Sequence, residues 1–242
     1  MTVSFFDLHA DLPREGPGLD NSTRRALAMT GMSGALDIID MGCGPGAQSV
    51  VLLDALPEAR VTGIDTHAPF LAEARRRAAA AGHAARFTAI EADMAAPPLS
   101  DACADLIWCE GAIYIIGVVR ALRLWRRLLR PGGMVVFSDA VWTTRTPSAE
   151  AREIWADYPE MTTIGGVRAR IVEAGYRNVG GFLLPEEAWD AYYGPLSARE
   201  RRLREEFGDA PVLAEARAEI AARQAFGYEF GYAMFIASPA AA

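Results

Sequence analysis

The chain of 242 residues contains no lysine: all 24 of its basic side chains are arginine. That absence excludes a pyridoxal-phosphate Schiff base, an amine nucleophile, a P-loop of the G-x-x-x-x-G-K-[ST] type and a kinase core, each of which needs an ammonium at a fixed place. Positive charge is scarce overall, with 31 acidic residues against 24 basic ones and a formal net charge of −7. No cation excess is left to release counterions from a polyanion, so neither nucleic acid nor a membrane surface is an expected partner. Cysteine is scarce too. Cys43, Cys103 and Cys109 make an odd number without C-x-x-C spacing, and His9, His67 and His83 are scattered, so neither a disulfide framework nor a metal site is expected. Met1–Glu15 carries Asp7, His9, Asp11 and Arg14 where a secretory signal has a basic start and an apolar run. No run reaches the roughly 18 apolar residues that cross a bilayer. A cytoplasmic location is expected.

What is present is a regular alternation of short apolar runs with stretches of helical period, the pattern of βαβ units around a parallel sheet. Strands are expected at Leu36–Met41, Arg60–Asp65, Arg86–Glu91, Asp105–Cys109 and Met134–Asp139, then at Tyr176–Leu184 and Tyr228–Ala237. Helices are expected at Ala68–Ala81, ended by Gly82, and at Val118–Leu129, ended by the turn Arg130-Pro131-Gly132-Gly133. Asn21-Ser22-Thr23 is expected to cap a helix over Arg24–Thr30, after an irregular loop at Leu12–Gly18. Ser148–Asp157 and Val167–Ala174 read as helices, as does Pro185–Gln224 with a break at Gly208-Asp209-Ala210-Pro211. This last stretch exceeds a simple crossover and is expected to cover something.

The sharpest motif is Ile38-Ile39-Asp40-Met41-Gly42-Cys43-Gly44-Pro45-Gly46, an apolar strand that runs into three glycines at alternate positions and then a helix. Such glycines admit φ > 0 and the close approach of a ligand. The run Gly42-x-Gly44-x-x-Ala47 also satisfies the loose dinucleotide pattern, and Asp65, 19 residues after Gly46, would bind ribose hydroxyls for either cofactor. Two acids favour a nucleoside without phosphate. Asp40 would repel a pyrophosphate but hold an amino-acid ammonium, while Asp93 and Met94 suit an adenine, one for the exocyclic amine and the other for the ring face.

Asp40-x-Gly42-x-Gly44-x-Gly46, Val61-Thr62-Gly63-Ile64-Asp65, Glu91-Ala92-Asp93-Met94, Asp105-Leu106-Ile107-Trp108 and Leu129-Arg130-Pro131-Gly132-Gly133 together, in this order, resemble the motifs of class I S-adenosylmethionine-dependent methyltransferases over about 36–139. The resemblance implies a doubly wound α/β, Rossmann-like fold with a seven-stranded, mostly parallel sheet whose last strand is antiparallel. It also implies S-adenosylmethionine across the carboxyl ends of the strands, held by Asp40, Gly42, Cys43, Gly44, Gly46, Asp65, Thr66, Asp93, Met94 and Glu110. The expected layout is one domain: a leader helix or cap over 1–35, the cofactor core over 36–139, and an acceptor-side half over 140–242 with a helical lid at about 185–224. The chain is expected to work as a monomer or homodimer.

Gly16-Pro17-Gly18, Glu110-Gly111-Ala112-Ile113-Tyr114, Trp142 and the Trp189–Tyr193 stretch are similar to a bacterial subgroup acting on small molecules. Cys109-Glu110-Gly111-Ala112 stands where amino-methylating DNA and protein enzymes carry Asp/Asn-Pro-Pro-Tyr, which speaks against adenine and glutamine-amide acceptors. Methyl transfer from a sulfonium is an in-line displacement with an activated leaving group. Alignment supplies ~7–11 kcal/mol, against roughly 3–5 kcal/mol from a general base. Glu110, Tyr114 and His9 are the catalytic candidates; Asp139, Trp142, Trp189, Tyr192 and Tyr193 are the acceptor-side ones. The competing readings are that Glu110 binds cofactor or caps the helix after Gly117, that His9 is merely solvated, and that the Trp189–Tyr193 aromatics anchor their helix to the core. The series Arg120, Arg123, Arg127 and Arg130 lines one helix face and reads as a solvated face. Alternatives of another class are a nicotinamide-dependent oxidoreductase and a non-catalytic cofactor-binding protein.

Overall fold

A computed structural model of the chain describes residues 3–240. Its strands are β1 (Asp37–Met41), β2 (Arg60–Asp65), β3 (Phe87–Glu91), β4 (Ala104–Cys109), β5 (Leu129–Trp142), β6 (Thr162–Thr163), β7 (Tyr176–Leu183) and β8 (Phe230–Pro239). Helices α1 (Phe5–His9) and α2 (Asp20–Thr30) precede the sheet. Within it lie α3 (Ala47–Ala55), α4 (Ala68–Ala80), α5 (Val118–Trp125), α6 (Ala149–Ile154), α7 (Ile164–Glu173), α8 (Glu187–Phe207) and α9 (Pro211–Phe226). The strand order is β3-β2-β1-β4-β5-β8-β7, all parallel except β8, which runs antiparallel to both neighbours.

The period-2 rule places successive strand residues on opposite faces. Ile38, Leu106 and Val136 pack against α2, α3 and α4, while Ile39, Ile107 and Val135 pack against α5 and α7. Both faces are therefore covered by helices, which is what nearly continuous apolar strands require. A third, smaller core joins Leu8 and Leu12 of the leader to Leu196, Leu203 and Leu213 of α8 and α9.

Four differences from the expected layout have local causes. An eighth strand, β6, adds two residues parallel to the end of β5, at Val141 and Trp142. The run Arg130–Gly133 is not a free turn but an irregularity inside β5: Ala104 pairs with Leu129 and Leu106 with Met134. Pro131 has no N–H to give the ladder and Gly132 sits at φ +84°, so these residues leave the ladder without ending the strand. Helix α2 starts at Asp20, so Asn21-Ser22-Thr23 lies in its first turn and does not cap it. The leader contains α1, where Ser4 and Asp7 form a reciprocal capping box.

The arginines at the end of α5 and just after it do more than face water. Arg123 and Arg126 donate to the carbonyls of Glu173 and Gly175, Arg127 to that of Leu99, and Arg130 joins Asp37 and Asp105. They clip loops to the amino end of the sheet. No helix among the described residues is long and apolar enough to cross a membrane.

Candidate active site

The connections from β1 and β4 leave in opposite directions, so a crevice opens at the carboxyl ends of these strands, where ligands of open α/β sheets bind. The glycine loop forms its floor. Gly42 and Gly46 sit at φ +67° and +80°; a Cβ on the first would come within 2.6 Å of the Ala112 Cβ, and on the second within 2.8 Å of the Ala74 Cβ. Neither position tolerates a side chain. Asp65 ties the next strand to this loop: its Oδ2 accepts from the Gly44 N–H and its Oδ1 from the His67 N–H, both at 2.9 Å.

A cavity of about 290 Å³ fills the crevice. Gly42, Cys43, Gly44, Asp65, Thr66, Asp93, Met94, Glu110 and Tyr114 all line it, and Gly46 lies one step below, at the start of α3. Four carboxylates border the space, those of Glu15, Asp65, Asp93 and Glu110, against one guanidinium, that of Arg14. Asp93 stays exposed and accepts from the Ala95 N–H at 2.7 Å, whereas Met94 is buried beside Gly42. Burial pushes the Cys43 thiol well up, so it packs as an inert apolar group.

Glu110 is the most heavily engaged of the four. Its Oε1 accepts from Trp108 Nε1 at 2.8 Å and Thr23 Oγ1 at 2.7 Å, and its Oε2 faces Arg14 Nη1 at 3.3 Å. Three donors from β4, α2 and the leader thus converge on one carboxylate.

Seven candidates are not brought to the cavity. Asp40 is sealed beneath the loop, where its oxygens accept from Gln48 Nε2 at 3.1 Å and Ser49 Oγ at 2.5 Å. It orders the start of α3 and reaches no ligand space. Burial lifts its carboxyl to about 7, against the hydrogen bonds from Ser49 and Gln48, and the carboxylates of Glu110 and Asp65 add to the rise. Asp139 is likewise buried, accepts from Tyr158 Oη at 2.9 Å, and is raised to about 7 chiefly by burial. His9 is buried rather than solvated; its Nδ1 meets Glu15 Oε2 at 2.6 Å and its ring stacks on Phe5. Trp142 Nε1 donates to the Met161 carbonyl within the core. Trp189 lies between the Arg223 guanidinium and the rings of Phe230 and Tyr232, and Tyr193 Oη donates to Glu219 at 2.8 Å. Tyr192 belongs to the small core under α1. These aromatics anchor α8: Trp189 packs on the start of β8, and Tyr192 and Tyr193 fill the space between α8, α9 and the leader.

The insertion therefore carries the leader, and the leader covers the cavity. Phe5, Phe6 and Arg14–Pro17 line the space, with Phe6 stacked on His67 at 3.7 Å. Arg77 of α4 fixes the strap by donating to the carbonyls of Pro13 and Leu12 at 2.7 and 2.8 Å. Reading 12–18 as an irregular loop missed Arg14 and Glu15. The available signal was an opposite-charge pair held between Pro13 and Gly16-Pro17-Gly18, a segment too restricted to be an idle tether.

A family model described as a methyltransferase domain matches residues 38–133. Over 162 residues, 63% of the chain and 60% of the relative, it is 35% identical to a trans-aconitate 2-methyltransferase of Paracidovorax citrulli. Over 134 residues, 55% of the chain and 48% of the relative, it is 36% identical to a malonyl-(acyl-carrier protein) O-methyltransferase of Pseudescherichia vulneris. The chain thus spans about half to three fifths of the length of these relatives. The fold is that of a methyltransferase from Geobacter sulfurreducens crystallised with S-adenosyl-L-homocysteine, with a TM-score of 0.86, 24% identity, and 98% and 99% of the two chains covered. The ordered strand-end motifs, the glycine loop they enclose and the family match agree: the chain carries a methyltransferase domain of the S-adenosylmethionine-dependent type over residues 38–133.

Proposed function

We propose that the chain transfers the methyl group of S-adenosylmethionine to nitrogen or oxygen of a small-molecule acceptor. The observation that carries this reading is the charge around the cavity: four carboxylates and one guanidinium around a glycine loop. A pyrophosphate would meet net repulsion there, whereas a sulfonium nucleoside brings a cationic centre, an ammonium, ribose hydroxyls and an exocyclic amine. The residues fit that group. Asp65 stands at the end of β2 for the ribose, Asp93 and Met94 after β3 for the adenine, and the open backbone of Gly42 and Gly44 lies beneath the tail. When bound, the cofactor supplies a methyl group already activated for displacement. What remains for the chain is alignment and exclusion of water, and the strap of Phe5, Phe6 and Arg14–Pro17 closes the open side.

Glu110 and Tyr114 stand nearest the acceptor's approach. Both acceptor positions on Glu110 Oε1 are used by Trp108 and Thr23, so an acceptor proton can reach only Oε2, which carries the longer contact from Arg14. Glu110 then orients the acceptor first and takes a proton only if Arg14 yields. The trans-aconitate and malonyl-carrier relatives favour oxygen over nitrogen. Calorimetry with S-adenosylhomocysteine, followed by a screen of carboxylates, phenols, amines and thiols that detects release of S-adenosylhomocysteine, tests the proposal. No binding of S-adenosylmethionine or its demethylated product at millimolar concentration would sink it.

A further inference from the structure

The leader sets a carboxylate against the glycine loop and leaves half of it without a partner. Glu15 Oε2 meets His9 Nδ1 at 2.6 Å, but Oε1 is closed to solvent and has no hydrogen bond among the described residues. A buried, unpartnered carboxylate oxygen is costly, and on a residue that lines the cavity it points to a donor that arrives with a ligand. The neighbouring guanidinium does not supply it: Arg14 is turned to Asp20 at 2.9 Å and Glu110 at 3.3 Å. The position of Glu15 is specific. Its Cγ lies 3.4 Å from where a Cβ on Gly44 would stand, so the side chain rests over the middle glycine of the loop.

We propose that Glu15 receives the α-ammonium of the cofactor's amino-acid tail, the contact that Asp40, sealed beneath the loop, does not make. This rests on the reading of the cavity as an S-adenosylmethionine site, and it assigns a ligand contact to the strap outside the sheet core. An ammonium offers three donors, enough to satisfy Oε1 and neighbouring carbonyls of the loop. His9 is then a positioning residue: by holding Oε2 it turns Oε1 toward the tail. The strap is therefore part of the binding site, and tail recognition requires it to be docked.

Titration calorimetry of the wild type and of Glu15→Gln with S-adenosylhomocysteine and with 5′-methylthioadenosine, which keeps the nucleoside and lacks the tail, tests the proposal. Glu15→Gln keeps size and removes charge. Its affinity for S-adenosylhomocysteine is expected to fall roughly ten- to hundredfold, the range for a lost charged partner, while 5′-methylthioadenosine binds within about twofold of the wild type. Equal weakening of both ligands, or no change in either, overturns the assignment. A wild type that binds both ligands equally overturns it too, because the tail then has no contact. A wild type that binds neither ligand removes the cofactor reading itself.

Discussion

Thr23 Oγ1 in the first turns of α2 donates to Glu110 Oε1 at the end of β4 at 2.7 Å, across 87 positions of chain. Thr23 is fully buried, and its hydroxyl lies much nearer Glu110 than the Leu19 carbonyl, at 3.4 Å. Thr23→Val keeps the shape, removes the donor and leaves Oε1 with Trp108 alone. The expected cost is about 1–3 kcal/mol, read in a thermal melt at roughly 2–4 °C per kcal/mol. Thr23→Ser, which keeps the hydroxyl, should lose clearly less. Equal losses would show that packing, not the hydrogen bond, holds α2 to the site.

Asp65 accepts from the Gly44 and His67 backbone. Asp65→Ala both frees the glycine loop and removes the proposed ribose contact. The dissociation constant for S-adenosylhomocysteine is expected to rise about ten- to hundredfold. Unchanged affinity would place the nucleoside elsewhere.

Gly46→Ala meets two penalties, a left-handed backbone and a Cβ 2.8 Å from that of Ala74. The backbone part alone costs on the order of 1–3 kcal/mol. Adding Ala74→Gly removes the nearer contact but leaves the Ala74 Cα at 3.1 Å and the backbone strain in place, so denaturant unfolding, read against Ala74→Gly alone, should show partial recovery. Full recovery would mean that the conformation at 46 is free to change.

Asp139 carries its carboxyl at about 7 in the folded chain, against an ordinary 3.8. Between those values the folded state binds more protons than the unfolded one, so stability falls as pH rises through about 7. Asp139→Asn keeps an acceptor for Tyr158 and cannot ionise. Its melting temperature should exceed that of the wild type by several degrees at pH 8, with the gap closing towards pH 4. A gap independent of pH would show that Asp139 is not the titrating group.

Arg77 pins the strap by two carbonyls and is itself held by Glu73. Arg77→Ala is expected to speed amide exchange in residues 3–18 while β1 and β4 keep their protection, as measured by hydrogen–deuterium exchange. Uniform protection in the variant would locate the strap's anchorage in the small core of Leu8 and Leu12.

Seven of the eight strands were legible in the sequence because each is a short apolar run set off by a turn or a helical stretch; β6, two residues long, carries no such signal. The glycine loop, Asp65, Asp93 and Met94 were legible for the same reason: their places are fixed by position along β1, β2 and β3. Asp40 was misjudged because sequence spacing sets a residue at a strand end without saying which way its carboxylate turns, and Gln48 and Ser49, one turn into α3, claim it. Trp189, Tyr192 and Tyr193 look the same in sequence whether they line a pocket or fill a core. Glu15 was hidden for the opposite reason. It sits in a segment without periodicity, and its place over Gly44 depends on contacts with His9 and Arg77, residues that local patterns do not connect to it.

Strand β8 lies between β5 and β7, yet it is the last strand in chain order. On the ribosome, β7 therefore emerges with no neighbour to join, since its ladder is made wholly with β8. Until residues 230–239 leave the exit tunnel, β5 and β7 each expose an open edge. The nascent chain must pass through that interval with its glycine loop already flanked by β2 and β4, so the ligand-binding half can mature before the sheet is closed.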